Sequence, residues 1–183
     1  MRSTTRSRVA GAAVAGLALA ALAGPSATAQ TTTTTFTLEG GTLSISVPPA
    51  KALDEVLLGA DEVSAQLGAV TVTDSRGGLN GAWTATVSSS DFVTDEAASS
   101  NTIAKANVEY MSGPVVPTGG AATVAGTGLG GLVPVALDVA RTAAEASSII
   151  GAVSASWDPT VTVTVPNNVV AGDYTGTVTH SVA

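Results

Sequence analysis

The stretch Thr160–Val165 reads TVTVTV and is closed by Pro166. Threonine and valine alternate without exception, so one face of the segment is apolar and the other polar, the period of a half-buried β-strand. Both residue types favour extended backbone, and proline cannot donate to a ladder, so the strand ends there. The last residues repeat the pattern. Tyr174, Gly176, Val178, His180 and Val182 fall on one face, and Thr175, Thr177, Thr179 and Ser181 on the other.

The same period recurs upstream. Phe36 and Leu38 alternate with threonines, Gly40-Gly41 supplies a turn signal, and Leu43, Ile45 and Val47 alternate up to Pro48-Pro49, which predicts a hairpin. Ala69–Thr73 reads as a strand that stops at a turn, Asp74-Ser75-Arg76-Gly77-Gly78. Trp83, Ala85 and Val87 then define one face of a further strand, and Ala104, Ala106, Val108 and Tyr110 form a weaker stripe. Strands rich in Thr and Val between Gly, Pro, Asn and Asp turns predict an all-β protein. The expected fold is an antiparallel β-sandwich, immunoglobulin-like or related, of seven to nine strands with one or two short helices.

Three segments fit less simply. Leu53, Val56, Leu57, Ala60, Val63 and Leu67 recur at helical spacing, with Gly59 weakening the helix, and read either as a short helix or as irregular strand and loop. Leu137–Ile150 is rich in helix formers and reads either as a short helix or as irregular strand and loop. Val115–Gly131, rich in Gly, Pro and Thr, is expected to be a long loop.

Residues 1–29 are expected to be a secretory signal peptide. Arg2, Arg6 and Arg8 precede a 15-residue apolar run, Val9–Ala23, and Ala27-Thr28-Ala29 fits a small-x-small cleavage site. The run is shorter than the ~20 residues a spanning helix needs. The mature chain then starts at Gln30 with a Thr-rich leader over 30–35, followed by a single domain over 36–183. It carries four basic residues (Lys51, Arg76, Lys105, Arg141) against fourteen acidic ones, a net charge of −10. Such a surface repels polyanions, so neither nucleic acid nor, after signal cleavage, a membrane is expected as a partner. With no cysteine there is no thiol catalysis and no Cys-based zinc site.

Little chemistry is encoded locally. His180 is the sole histidine, so a Ser-His-acid triad would have to use it, yet its period places it beside Val178 and Val182 and predicts a packed ring. Gly126–Gly131 superficially resembles a dinucleotide loop but lacks the βαβ setting. Asp91, Asp95 and Glu96 are near enough to gather round calcium, but without a repeat spacing they read as a solvated acidic loop. No carboxylate pair stands out for glycoside hydrolysis. No catalytic residue, metal or cofactor is assigned.

Two longer blocks, LGAVTVTDSRGGLNGAWTATV over 67–87 and WDPTVTVTVPNNVVAGDYTGTVTHSV over 157–182, together resemble the WxL-type domain of secreted bacterial cell-surface proteins. Val70–Gly77 and Trp83-Thr84-Ala85 correspond to the first family block. Pro166 and Ala171-Gly172-Asp173-Tyr174 lead into the second. Ala85 stands where the family has Leu, and His180 and Val182 where it has Trp and Leu. The resemblance implies a non-enzymatic, extracellular protein attached non-covalently to the cell wall through peptidoglycan. No Leu-Pro-x-Thr-Gly sorting motif occurs, in keeping with non-covalent attachment. The alternative is a secreted structural or adhesion subunit that binds another surface protein through its sheet edges.

The candidate ligand residues are Asp74, Arg76, Trp83, Tyr174 and His180. Each also has a structural role open to it: Trp83, Tyr174 and His180 in the core, and Asp74 and Arg76 paired across a turn or holding turn amides. In the binding role, Arg76 would offer its forked donor to a peptide carboxylate or sugar hydroxyls.

Overall fold

A computed structural model describes residues 32–57, 59–94 and 102–183. The expected signal peptide, Thr31, Asp95 and Glu96 lie outside the described residues. Residues 32–41 have no regular structure, and a compact body runs from Leu38 to Ala183.

Eleven strands are present among the described residues: β1 (Leu43–Ser46), β2 (Glu62–Gln66), β3 (Val70–Ser89), β4 (Phe92–Val93), β5 (Thr102–Ile103), β6 (Val108–Met111), β7 (Val116–Gly126), β8 (Val135–Ala136), β9 (Arg141–Trp157), β10 (Thr160–Thr164) and β11 (Val178–Val182). Three of them, β4, β5 and β8, have only two residues. A 3-10 turn spans Lys105–Asn107, and one short helix, α1, spans Thr127–Gly131. The fold is all-β and antiparallel, as the alternation predicts. One sheet has the order β1-β3-β9-β7 with β11 also on β3, the other has the order β2-β10-β6-β8, and β4-β5 form a separate ribbon.

Apart from β4-β5, strands adjacent in sequence never pair with each other. The chain crosses from one sheet to the other at every step from β1 to β3 and from β6 to β11. The reason is visible in the register. Thr160 of β10 lies opposite both Gln66 and Met111, and Ser156 of β9 lies opposite both Thr71 and Val116. The order β2-β10-β6 thus continues as β3-β9-β7: three long threads turn a common corner and change sheet together. Main-chain bonds brace that corner, with Leu67 N donating to Pro159 O at 2.8 Å and Gly68 N to the Asp158 carboxylate at 3.1 Å.

A second bend lies further along the same threads. Val70 opens β3, and His180 pairs with Val87 near its end, yet Val70 and His180 line one cavity. A straight strand would hold positions 70 and 87 roughly 55 Å apart at ~3.3 Å per residue. The ribbon therefore folds back on itself. Register shifts mark the place in both ladders, over Asp74–Trp83 of β3 and Gly119–Thr123 of β7. Positive φ angles occur there at Gly77, Asn80, Gly119, Ser148 and Gly151. Such bulges add residues out of phase and bend the strand. The inward positions accordingly change parity, from Val70, Val72 and Asp74 to Trp83, Ala85 and Val87.

The core lies inside this roll. It is built from β-branched residues and alanines, with Tyr110, Trp83 and Trp157 as its large rings. Sizes complement across the ladder: Trp83 faces Ala146, and Ala85 faces Ala144.

Several sequence expectations are corrected. Phe36 and Leu38 form no hairpin and are 88% and 89% exposed; β1 pairs with β3 instead. Period two names a strand but not its partner. Of the two readings open for 53–67, the described residues follow strand and loop and not helix. Leu57 on its apolar stripe is 86% exposed, Gly59 has φ 93°, and Val63 pairs with Val163 as part of β2. The turn expected at 74–78 is a bulge within continuous β3, which absorbs the change of face without ending the ladder. The expected loop 115–131 contains β7, whose ladder on β9 uses its glycines at the bend. Leu137–Ile150 resolves to strand from Arg141 onward.

Glycine is required where the threads press together. A Cβ on Gly120 would collide with the Ile150 carbonyl oxygen, whereas one on Gly78 of the same bend would meet nothing within 4 Å. Gly120→Ala should therefore lower unfolding stability by about 1–3 kcal/mol, and Gly78→Ala should leave it nearly unchanged. Urea unfolding of the two variants measures the difference.

Candidate functional site

The five candidate residues fall in four separate settings. Asp74 and Arg76 meet at the bend. The Asp74 side chain is buried, and Arg76 donates to it twice, Nε to Oδ1 at 3.0 Å and Nη2 to Oδ2 at 2.8 Å. The Arg76 main-chain N–H adds a third bond to Oδ1 at 3.1 Å, and Nη2 also reaches Ala82 O at 2.9 Å. The arginine fork is thus engaged within the chain, and it clasps the bulge from 76 to 82. The Arg76 side-chain bonds hold the Asp74 carboxyl below its ordinary range, against the effect of burial. A shallow hollow of about 240 Å³ lies beside the pair.

Trp83 is 3% exposed and belongs to the core, and its indole N–H has no acceptor among the described residues. Tyr174 precedes β11 and donates its hydroxyl to Val170 O at 2.9 Å. A tyrosine tied to the main chain four residues upstream is a device of Greek-key sandwiches, where it fixes the arch between sheets. The Ala171-Gly172-Asp173-Tyr174 segment quoted above is that arch.

His180 takes part in a polar chain that the sequence does not reveal. Trp157 Nε1 on β9 donates to Tyr110 Oη on β6 at 2.8 Å, and Tyr110 Oη lies 3.0 Å from His180 Nε2 on β11. The tyrosine and histidine rings stand 5.5 Å apart between centroids, tilted by 59°. Indole can only donate, and the Tyr110 hydroxyl is fully buried, so its proton is satisfied by giving it to His180 Nε2. The imidazole is therefore neutral and carries its proton on Nδ1. Burial agrees with this, pushing His180 down to about 4 and the Tyr110 hydroxyl well above its usual value. Such a histidine is a poor base at neutral pH. Its partners Tyr110 and Trp157 escaped the sequence reading because they are 47 residues apart and only the roll unites them.

The glycine run 126–131 forms α1, kinked at Gly128–Gly130, and does not hold a phosphate-binding turn. Thr127 and Ser112, both buried, bond reciprocally through main-chain N–H and hydroxyl groups at 2.9 and 3.0 Å, tying α1 to the end of β6. Asp91 accepts Lys105 N at 2.8 Å, and no cluster of three metal-ligating side chains occurs among the described residues.

A second concavity, about 380 Å³, opens beside His180. It is lined by the segment Val47–Leu53, by residues 175–178, and by Phe92 with the buried Val70 and Val161. The 175–177 wall is held to β4 by Val93 N to Thr175 O at 3.0 Å and Thr175 N to Val93 O at 2.9 Å. Lys51 is its one charged lining residue among those described.

No family model, curated protein or solved structure matches this chain.

The two tryptophans should respond differently to loss of the indole N–H. Trp157→Phe leaves Tyr110 without its donor, whereas Trp83→Phe removes an unpartnered N–H. The first should cost about 1–3 kcal/mol more than the second in chemical denaturation. Trp83→Ala should cost ~3–5 kcal/mol through the cavity left in the core.

Acid should weaken the fold in two stages. His180 has a folded pKa of about 4 against 6.5 unfolded, so its contribution is complete above pH 6.5 and is lost as pH falls toward 4. The half-buried ring is partly screened by water, which limits the loss to about 2 kcal/mol. Asp74 acts below its ordinary 3.8, since its carboxyl is depressed when folded. The unfolding midpoint followed from pH 8 to pH 3 should show both, and His180→Gln should flatten only the upper stage.

Proposed function

We propose that this is an exported, non-enzymatic surface protein, related in design to WxL domains, that associates non-covalently and reversibly with cell-wall peptidoglycan. One observation carries the reading. The two strands that correspond to the family's Trp-x-Leu motifs are hydrogen-bonded neighbours: Ala85 faces Val182, Thr86 faces Ser181, and Thr84 exchanges main-chain bonds with Ala183 at 2.9 and 3.1 Å. Two blocks nearly a hundred residues apart in sequence thus form one surface. Its outward side bears hydroxyls, including Thr84, Thr179 and the Thr86–Ser181 pair joined at 2.8 Å. Hydroxyls arrayed along one side of a strand pair suit the donors and acceptors of a glycan or a stem peptide.

The acidic balance of the chain constrains the mode of attachment. A net charge of −7 over the whole sequence, and −10 over the expected mature part, is repelled by anionic wall polymers. Attraction then comes from short-range contacts. The alternative partner, another surface protein docked on a sheet edge, is less well served. The open edge strand β7 carries Pro117 and a register shift at Gly120, features that blunt edge pairing.

Co-sedimentation of the mature protein with purified walls tests the reading. The bound fraction should hold or rise with salt, because salt screens the repulsion. It should rise further when anionic polymers are stripped, and Thr179→Glu should lower it without changing the melting temperature. Loss of binding with salt would overturn the short-range mode. No binding in any condition would favour the protein-docking alternative.

A further inference from the structure

The 380 Å³ cavity beside His180 has a composition at odds with the rest of the molecule. The chain is strongly acidic, yet among the described residues no carboxylate lines this cavity and its single charge is the Lys51 ammonium. Arg76 and Arg141 are neutralised by Asp74 and Asp138, whereas Lys51 makes no ion pair among the described residues. The remaining surface divides cleanly. Val47, Leu53, Phe92 and Val178 offer accessible apolar contact over the buried Val70 and Val161, while Thr175, Thr177 and His180 carry hydrogen-bonding groups. Because Tyr110 occupies His180 Nε2, the ring's exchangeable proton sits on Nδ1, so the polar group His180 has left to offer a ligand is a donor and not an acceptor. The cavity is also of ligand-binding size, since small-molecule sites run from ~300 Å³ upward with mostly apolar walls and a few placed polar groups.

We infer that this cavity binds a small carboxylate with an apolar side chain, of the kind a short peptide presents at its C-terminus. Lys51 supplies the counter-charge, the apolar wall takes up small aliphatic side chains, and the donors of His180, Thr175 and Thr177 orient the carboxylate. A cationic ligand is refused by Lys51, and a wholly apolar one leaves the ammonium unmatched. The site shares β11 with the hydroxyl face of the paired motif strands but uses Lys51 and the Val47–Leu53 segment, which that face does not, and it does not depend on attachment to the wall.

The test is a titration of the full mature chain with N-acetyl-alanyl-alanine and, in parallel, with its C-terminal amide, read by amide chemical shifts. The expected result is weak binding of the acid, with a Kd of about 1 mM, and shifts centred on Lys51, Phe92 and Thr175–His180. The amide should bind at least about tenfold more weakly, as loss of a charge-assisted bond requires. Lys51→Met should weaken the acid by a similar factor and leave the melting temperature unchanged, because Lys51 is exposed; Lys51→Arg should restore most of it. Added salt should weaken this binding, the opposite of the behaviour expected on walls, so the two readings fail independently. Equal affinity for acid and amide, binding indifferent to Lys51→Met, shifts centred elsewhere, or no binding at 10 mM peptide would each overturn the assignment.

Discussion

The Tyr110 hydroxyl is the point on which the rest of the structure depends. It has one proton to give, and it stands where three stretches of the rolled ribbon converge: β6, the corner end of β9, and β11. Trp157 fills its lone pair and His180 takes its proton, so each group satisfies the next in a setting where an unmade bond would be costly. Tyr110 is fully buried. The chain of three rings links the two sheets by directional bonds, where packing alone would allow slippage. It also favours a neutral His180, because an imidazolium Nε2–H would leave the buried Tyr110 hydroxyl proton without an acceptor.

Around that hub the architecture follows from the length of three threads. β2-β3, β10-β9 and β6-β7 keep their order through one corner and then bend again at a band of bulges and left-handed residues. A two-sheet enclosure made this way has few local pairings. Strand partners are brought together from distant parts of the chain, which predisposes such folds to slow folding. It also explains the density of small residues. Alanines at 85, 144 and 146 and glycines at 119 and 120 let neighbouring threads approach where the ribbon is tightly curved.

The polar side chains divide between those that hold this shape and those left over. Asp74 and Arg76 clasp the bulge, Tyr174 pins the arch before β11, and Ser112 with Thr127 ties α1 to β6. What remains for recognition is the hydroxyl face over the paired motif strands and the cavity with its solitary lysine. Both stand out against an acidic molecule, and both are consistent with short-range recognition of neutral or anionic ligands.

Strand identity was legible in the sequence wherever alternation was strict. Thr160–Val165, Trp83–Val87 and Val178–Val182 needed no tertiary context, because a half-buried strand imposes period two on its side chains. The burial of Trp83, the inward face of His180 and the Asp74–Arg76 pairing were legible for the same reason, or from proximity along the chain. Partner choice was not. Phe36-x-Leu38 alternates as well as Leu43-x-Ile45, and only the second found an edge, on β3. The segment left open between helix and strand, 53–67, and the one read as loop, 115–131, lack clean alternation because they serve corners and bends, where glycine and parity shifts are what the curvature demands. The Tyr110 hub and the Lys51 cavity were invisible for a deeper reason. Their members come from parts of the chain that share no local pattern, and only the closing of the roll gives them a common space.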